Sequence, residues 1–249
     1  MQRKNIIITG ASSGIGEELA KQFAQMGRNL VLCARRTERL QALASELEQH
    51  YPAITVLVFA LDVNQDEQVF TVFKQAKQQL GSIDRVIVNA GIGKGASIGT
   101  GYYAQNKLTA VTNFVAALCQ CEAAMEIFRE QNSGHLVTIS SVSSQRGFRR
   151  SMTVYAATKA GLASLTEGIR IDTLGSPIKV STIHPGYIKT EITDTDKNPP
   201  FLVDVTSGCN KVIAAIEAEK NIAFVPGWPW AVMRYILPLL PLSIMRRLS

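Results

Sequence analysis

The chain has 249 residues, of which 46% are hydrophobic and 18% charged, so its composition is that of an ordinary globular protein. This hydrophobic content excludes a disordered chain, and four cysteines in this length exclude a disulfide scaffold. The formal net charge of +6 comes from scattered basic residues without a basic and aromatic stripe, which argues against a nucleic-acid-binding protein.

Short β-branched runs alternate with segments of helical spacing along the chain. The predicted strands are 6–9, 30–33, 55–59, 85–89, 135–140, 179–183 and 222–225. The predicted helices are 14–26, 37–49, 65–80, 105–131, 152–174 and 205–220. Apolar strands that alternate with helices indicate a parallel sheet covered on both faces, and right-handed crossovers make it doubly wound. We predict one Rossmann-like α/β domain of about seven strands over 1–225, with an apolar extension over 226–249.

A glycine-rich turn joins the first predicted strand to the first predicted helix. It reads Gly10-Ala11-Ser12-Ser13-Gly14-Ile15-Gly16. Glycines at this spacing allow a tight turn and a close approach of a pyrophosphate, and the helix amino end offers N–H groups to that anion. We expect a dinucleotide at Gly10, Ser12, Ser13, Gly14, Ile15 and Gly16; the alternative is a tight turn without a ligand.

The end of the second predicted strand indicates which dinucleotide binds. A site for NAD carries an acidic residue here that binds the ribose 2′-hydroxyl. This chain has no carboxylate at that point and reads Ala34-Arg35-Arg36 instead. Guanidinium groups suit a 2′-phosphate, so Arg35 and Arg36 predict NADP(H) as the cofactor.

Further motifs follow in the order of the chain. They are Asn89-Ala90-Gly91 after the fourth strand, Asn113 in a long helix, Ser140-Ser141 at the end of the fifth strand, Tyr155 and Lys159 near a helix start, and Pro185-Gly186 after the sixth strand. Together with the glycine turn, these motifs resemble those of the short-chain dehydrogenase/reductase family over roughly residues 4–225. Four positions apart on a helix, Tyr155 and Lys159 share one face, so we expect the ammonium to lower the pKa of the phenol from about 10.

The resemblance implies a catalytic role for four residues. Tyr155 would exchange the proton with the substrate oxygen, and Lys159 would lower the pKa of Tyr155 and bind the nicotinamide ribose. Ser141 would hydrogen-bond the carbonyl, and Asn113 would position Lys159 through a water. Ser143 is an alternative to Ser141, because the family places this serine about 13 residues before the tyrosine and the two serines lie 14 and 12 before it. We prefer Ser141, which belongs to the strand-terminal pair.

The same resemblance assigns the rest of the cofactor site. Asp62 and Val63 would flank the adenine, although Asp62 also reads as a cap of the following helix. Asn89, Ala90 and Gly91 would pack against the adenine-side ribose. The nicotinamide would be lined by Pro185, Gly186, Ile188 and Thr190. No metal site is predicted, because the cysteines and histidines lack ligand spacing.

The segment 190–205 is expected to cover the substrate, and its apolar residues favour a hydrophobic substrate. The tail 226–249 is apolar and aromatic and ends near Arg246-Arg247. It would pack within the protein or an oligomer, or alternatively rest on a bilayer surface. With no secretory segment and no apolar run of 18 residues, we expect a cytoplasmic protein, with membrane-peripheral contact as the alternative.

These observations predict an NADP(H)-dependent oxidoreductase acting on a carbonyl compound or secondary alcohol. The alternatives are a catalytically idle NADP-binding sensor or scaffold and a membrane-peripheral interaction protein. The long helices 105–131 and 152–174 resemble those through which the family forms homodimers and homotetramers, so we expect one of these assemblies.

Overall fold

A single parallel sheet of seven strands organises the chain. The computed structural model describes residues 3–191 and 200–248. The strands are β1 (Asn5–Thr9), β2 (Asn29–Ala34), β3 (Val56–Ala60), β4 (Arg85–Val88), β5 (Gly134–Ile139), β6 (Ile178–Pro185) and β7 (Ile222–Val225). Their order in the sheet is β3-β2-β1-β4-β5-β6-β7, and every neighbouring pair is parallel. The predicted doubly wound α/β fold is confirmed.

Helices cover both faces of this sheet. They are α1 (Gly14–Gln25), α2 (Thr37–His50), α3 (Asp66–Leu80), α4 (Tyr103–Ala110), α5 (Ala116–Gln131), α6 (Met152–Asp172), α7 (Val205–Glu217), α8 (Gly227–Ile236) and α9 (Leu242–Leu248). One hydrophobic core lies between the sheet and α1, α2 and α7, and a second lies between the sheet and α3, α5 and α6. Successive β1 residues show the period of two, since Ile6 and Ile8 enter the first core and Ile7 the second.

The segment predicted as one helix over 105–131 is interrupted in its first half. A π-helical turn, Val111–Val115, joins α4 to α5. Among the described residues, this stretch of 29 residues is the one helix long and apolar enough to cross a membrane by length and composition. It packs against α3 and the sheet, and 56% of its most apolar window is buried inside the protein. Its apolar character therefore fits its place in the second core.

The tail forms α8 and α9 directly after the edge strand β7. Trp230, Leu237 and Met245 are buried against the rest of the protein. Other apolar side chains of the tail remain exposed, among them Trp228 and Leu239. One side of the tail therefore packs within the protein as expected, and the other side is exposed.

Candidate active site

A cleft of about 520 Å³ opens at the carboxyl ends of the strands. It lies where β1 and β4 are neighbours, which is the point at which successive connections leave the sheet centre in opposite directions. Nineteen of the residues predicted from the sequence line this cleft: Gly10, Ser12, Ser13, Gly14, Ile15, Arg35, Arg36, Asp62, Val63, Asn89, Ala90, Gly91, Ser141, Tyr155, Lys159, Pro185, Gly186, Ile188 and Thr190. Gly16 and Asn113 lie behind this lining.

The glycine turn has no room for larger residues. Gly10 and Gly14 have φ angles of +67° and +58°, which favour glycine. A Cβ atom on Gly16 would collide with the carbonyl oxygen of Gly10 and lie 2.6 Å from Nδ2 of Asn89. Helix α1 begins at Gly14, so its free N–H groups face the cleft over this turn. The turn thus has the shape and the dipole of an anion-binding cradle.

Asn89 ties the ends of β1 and β4 together beneath that cradle. Its Nδ2 donates to the carbonyl oxygen of Thr9 at 2.9 Å. In return, the Thr9 hydroxyl oxygen accepts the backbone N–H groups of Asn89 at 3.1 Å and of Ala90 at 3.2 Å. The side chain of Asn89 therefore fixes the end of β4 relative to the end of β1 at the bottom of the cleft.

The two arginines after β2 differ in their surroundings. Arg36 donates from Nε to the Ser12 hydroxyl at 3.1 Å and from Nη2 to the Ser13 hydroxyl at 2.6 Å. Its Nη1 also lies 3.2 Å from Glu191, which pairs with Arg39 at 2.8 Å. These two arginines lower the pKa of the Glu191 carboxyl, the hydrogen bond from Arg39 being the larger cause. Arg35 is exposed, and its side chain makes no hydrogen bond or ion pair with any described residue.

Glu191 also lines the cleft, although it is not among the site residues predicted from the sequence. It lies 155 positions from Arg36 along the chain, and no motif marks it. The segment after β6 crosses the cleft and brings Glu191 to Arg36 at the end of β2, so a local sequence pattern could not reveal this contact.

Asp62 forms a turn rather than a helix cap. Its Oδ1 accepts the backbone N–H and the side-chain amide of Asn64, each at 3.1 Å. Helix α3 begins later, at Asp66. The side chain of Asn64 then accepts the Thr112 hydroxyl at 3.1 Å, which links this turn to the π-helical segment. The interpretation of Asp62 as a cap is therefore wrong.

The π-helical turn places Asn113 against the loop after β4. Asn113 is 1% exposed, accepts the N–H of Ile92 at 2.8 Å and donates to the Ile92 carbonyl at 2.8 Å. A Cβ atom on Gly91 would lie 3.2 Å from Oδ1 of Asn113 and 3.5 Å from Nζ of Lys159. Asn113 and Lys159 thus back the same short stretch of the cleft wall. Single-turn π-helical segments often occur at functional sites.

Tyr155 and Lys159 lie one turn apart on the amino-terminal half of α6. The ammonium nitrogen of Lys159 is 5.8 Å from the centre of the Tyr155 ring and donates to the Ile139 carbonyl at 2.8 Å. Ser141 lines the cleft beside Tyr155 and acts to lower the pKa of that phenol, and its hydroxyl accepts the N–H of Ser143 at 3.1 Å. Ser143 is buried and lies outside the cleft lining. The geometry therefore brings Ser141, and not Ser143, to the tyrosine.

Burial dominates the electrostatics of this pair. It raises the pKa of Tyr155 above 10, and the hydrogen bond to Ser141 opposes the rise only in part. Burial also lowers the pKa of Lys159 to about 8. The net lowering of the Tyr155 pKa that we expected is not found, because the desolvation of the phenolate outweighs the influences that favour it.

His184 supports the segment that carries Ser141. Its Nδ1 lies 3.1 Å from the Ser141 carbonyl oxygen and 3.0 Å from the Ser144 hydroxyl, and its ring stacks on Phe224 at 4.5 Å. Burial lowers the pKa of His184 to about 4, so the ring is neutral near neutral pH. The histidine fixes the turn after β5 without adding charge to the cleft.

The end of β6 lies beside the segment that carries Ser141, because β5 and β6 are neighbouring strands. Gly186 donates its N–H to Val225 at 2.7 Å, and a Cβ atom on Gly186 would collide with the indole of Trp230. The Trp230 ring also makes edge contacts with Tyr187 and Phe201, at centroid distances of 5.6 and 6.1 Å. Of the segment 190–205 predicted to cover the substrate, positions 192–199 lie outside the described residues.

No metal site emerges in the part of the chain that the structure describes, where no three His, Cys, Asp or Glu residues are grouped to hold an ion. The four cysteines are buried free thiols.

Comparisons with known proteins agree with the fold and the motifs. The family model described as short chain dehydrogenase matches residues 4–199. A Mycobacterium tuberculosis protein, described as an uncharacterized oxidoreductase, is 48% identical over 247 residues, which cover 99% of this chain and 98% of that protein. A Staphylococcus aureus protein with the same description is 36% identical over 77% of this chain and 81% of that protein.

Solved structures show the same architecture. A bulky-bulky ketone specific alcohol dehydrogenase from Comamonas testosteroni has a TM-score of 0.80 and 26% identity, over 99% of this chain and 95% of that one. A short-chain dehydrogenase from Sphingobium yanoikuyae in complex with NADPH has a TM-score of 0.83 and 26% identity, over 98% and 95%.

Replacing Gly16 with alanine should destabilise the protein by about 1–3 kcal/mol, the usual cost of overpacking, because the new methyl group meets the Gly10 carbonyl. Gly168→Ala is the matched control: this helical glycine has nothing within 4 Å of the added atom, so alanine should stabilise α6 by up to about 1 kcal/mol. Urea unfolding of both variants measures the difference. Equal stabilities for the two variants would contradict the close contact at Gly16.

Proposed function

The chain belongs to the short-chain dehydrogenase family, and from this membership and the geometry of the cleft we propose that it is an NADP(H)-dependent oxidoreductase acting on a carbonyl compound or secondary alcohol. The match to the family and the similarity to oxidoreductases make the chain a dehydrogenase or reductase. The observation that carries the proposal is the grouping of Ser141, Tyr155 and Lys159 in the same cleft as the glycine turn.

The residues of the cleft fit a dinucleotide. The cradle between Gly10 and Gly16 would hold the pyrophosphate, with the N–H groups of α1 pointing at it. Asp62 and Val63 would flank the adenine, and Asn89, Ala90 and Gly91 would line the ribose side. Pro185, Gly186, Ile188 and Thr190 would border the nicotinamide, which supplies or accepts the hydride when bound.

Tyr155 would act as the proton donor during carbonyl reduction. Its raised pKa keeps the phenol protonated at neutral pH, which suits a general acid. Ser141 lines the same cleft and influences the pKa of this phenol, so its hydroxyl would hold the substrate oxygen beside Tyr155. Lys159 would stabilise the phenolate formed as the proton leaves, because its ammonium lies 5.8 Å from the ring centre. Asn113 would act as a positioning residue, since it fixes the loop at Ile92 behind Lys159.

The charge around the end of β2 supports NADP(H) over NAD(H). Arg35 offers an exposed guanidinium at the cleft, and Arg36 braces the Ser12 and Ser13 hydroxyls. A 2′-phosphate would be attracted to both groups. Glu191 acts in the opposite sense, because its carboxylate occupies Arg36 and would repel the phosphate. The Sphingobium yanoikuyae neighbour is a complex with NADPH.

The aromatic wall beside the catalytic residues favours a hydrophobic substrate. Trp230 makes edge contacts with Tyr187 and Phe201 and lies against Gly186, which lines the cleft. The Comamonas testosteroni neighbour is specific for bulky-bulky ketones. We therefore propose an apolar ketone or the corresponding alcohol as the substrate.

The first prediction for this function concerns Arg35. NADPH should bind at least about tenfold more tightly than NADH, the size of one charged contact of roughly 1.4 kcal/mol. Arg35→Ala should remove most of that preference and leave NADH binding nearly unchanged, because only the 2′-phosphate contact is lost. Titration by fluorescence with both cofactors measures this.

Glu191→Gln should change NADPH affinity in the direction opposite to Arg35→Ala. Removing this carboxylate takes away a repulsive charge and frees Arg36, so NADPH should bind more tightly while NADH binding is unchanged. Equal affinities of the wild type for NADPH and NADH would overturn the cofactor assignment.

The second prediction concerns Tyr155. Tyr155→Phe removes one oxygen and should lower the turnover of a reactive ketone by about 10⁴-fold, with NADPH affinity retained. Lys159→Ala should also abolish most turnover and in addition weaken NADPH binding, because its ammonium would hold the ribose. Tyr103→Phe, at a tyrosine that is 75% exposed and outside the cleft lining, is the matched control and should leave turnover unchanged. Substantial turnover by Tyr155→Phe would rule out this proton donor.

The third prediction is the pH profile of ketone reduction. Burial lowers the pKa of the Lys159 ammonium to about 8, whereas burial raises the pKa of the Tyr155 phenol, so Lys159 is the first of the two to lose its proton as the pH rises. Turnover should therefore be constant below pH 8 and fall above it. In Lys159→Arg, where the charge persists, the falling limb should move to higher pH even if the rate is lower. If the fall in turnover occurred at the same pH in Lys159→Arg, a group other than Lys159 would be titrating. Lys74→Arg, at an exposed lysine of α3, is the control and should leave the pH profile unchanged.

The fourth prediction is a homodimer or homotetramer of closed symmetry, as is common in the family. The helical stretch Tyr103–Gln131 leaves Val115 and Leu118 exposed about one turn apart, and a partner subunit would cover them. Light scattering at micromolar concentration measures the mass. A monomer would refute the prediction, and Val115→Asp should shift the wild-type assembly toward monomer.

A further inference from the structure

One surface of the protein combines exposed apolar side chains with arginines. We call it the tail face: the exposed residues of 228–247 and the adjoining loop 146–150. Its apolar members are Trp228, Val232, Tyr235, Ile236, Leu239, Leu242 and Ile244. Leu239 and Leu242 are the most exposed of them, at 82% and 77%. Leucines at such exposure contribute nothing to the core of the subunit.

Buried side chains and hydrogen bonds from the loop 146–150 fix the tail face on the protein. Trp230, Leu237 and Met245 are buried under it. Arg146 of the loop donates to the carbonyl oxygens of Leu237, Pro238 and Leu240, and Arg149 donates to that of Arg246. The loop and the tail therefore form one preassembled surface, so that ordering it on a partner costs little conformational entropy.

The charge of the tail face has a single sign. The loop and the tail carry six arginines: Arg146, Arg149, Arg150, Arg234, Arg246 and Arg247. Neither 141–152 nor 226–249 contains an aspartate or a glutamate. Arg150, Arg246 and Arg247 are exposed at its border. A partner complementary to the tail face would therefore be apolar where it meets the leucines and anionic where it meets the arginines.

We propose that the tail face docks onto the surface of an anionic lipid bilayer. The leucines, Ile244 and Trp228 would enter the boundary between headgroups and acyl chains, and the bordering arginines would contact lipid phosphates. A second copy of the chain fits less well, because a two-fold interface would bring arginines against arginines with no carboxylate between them. The proposal rests on this surface alone and does not require the proposed reaction.

Docking in this way would place the catalytic end of the cleft beside the bilayer. Trp230 of the tail lies on Gly186, and the turn that ends at Arg146 begins directly after Ser141. An apolar substrate dissolved in the membrane would then reach Ser141 and Tyr155 over a short path.

Co-sedimentation of the full chain with vesicles tests the proposal. The probes are vesicles of pure phosphatidylcholine and of phosphatidylcholine with 30% phosphatidylserine. Binding should be strong on the anionic vesicles and at least tenfold weaker on the neutral ones. Leu239→Ser/Leu242→Ser should lower the partition coefficient on both kinds of vesicle by tenfold or more, since the apolar insertion is lost. Arg246→Gln/Arg247→Gln should lower it about tenfold on anionic vesicles only.

Two matched controls and a lipid-free measurement complete the design. Leu174→Ser, at a leucine 74% exposed beyond the far end of α6, and Lys74→Gln/Lys220→Gln, at exposed lysines elsewhere, should leave vesicle binding unchanged. Absence of binding to either vesicle, or equal losses in the controls, would overturn the proposal. So would an oligomer that forms without lipid and dissociates in Leu239→Ser/Leu242→Ser, because a second copy would then cover this face. None of these outcomes depends on catalytic activity.

Discussion

The close approach of Gly16 to Gly10 is the constraint on which the site depends. The end of β1 and the start of α1 touch without any side chain between them, and Asn89 closes the remaining gap with its amide. Only this contact lets the N–H groups of α1 face the cleft rather than a side chain. The same amide fixes β4 to β1, so the position of the cofactor cradle and that of the loop before Asn113 are set together. A change at Gly16 therefore acts on both halves of the cleft.

Burial shifts the pKa values of Tyr155 and Lys159 in opposite directions. It keeps the Tyr155 phenol protonated and makes the Lys159 ammonium easier to deprotonate. A protonated phenol is the form that an acid in carbonyl reduction requires, and Tyr155 has this form at neutral pH. Ser141 connects these groups to the turn that His184 supports, which makes the tyrosine, the serine and the end of β5 one connected unit.

The sequence predicted the sheet and most of the cleft because both arise from local patterns. Apolar runs mark the strands, and the glycines at Gly10, Gly14 and Gly16 mark a turn that other residues cannot form. The pattern at Tyr155 and Lys159 predicted their shared helix face for the same reason. The sign of the pKa change at Tyr155 was missed, because it depends on burial by distant segments and not on the neighbour one turn away.

Two other features were beyond local reasoning. The π-helical turn at Asn113 has ordinary helical residues, and only its bonds to the backbone of Ile92 explain it. Glu191 contacts Arg36 across the sheet, so no spacing along the chain could indicate it. The tail was predicted either to pack within the protein or to rest on a bilayer; the structure shows that its two sides differ, with Trp230 buried and Leu239 exposed.

The central claim is a hydride transfer from the nicotinamide of NADPH to a ketone carbon in this cleft. The most direct measurement uses NADPH that carries deuterium at the reactive C4 position, with apolar ketones of increasing chain length, and mass spectrometry of the alcohols formed. The account predicts one deuterium on the carbinol carbon and a higher yield with the longer ketones. Binding of NADPH without a labelled alcohol from any ketone would contradict the account and favour a nucleotide-binding protein without catalytic activity.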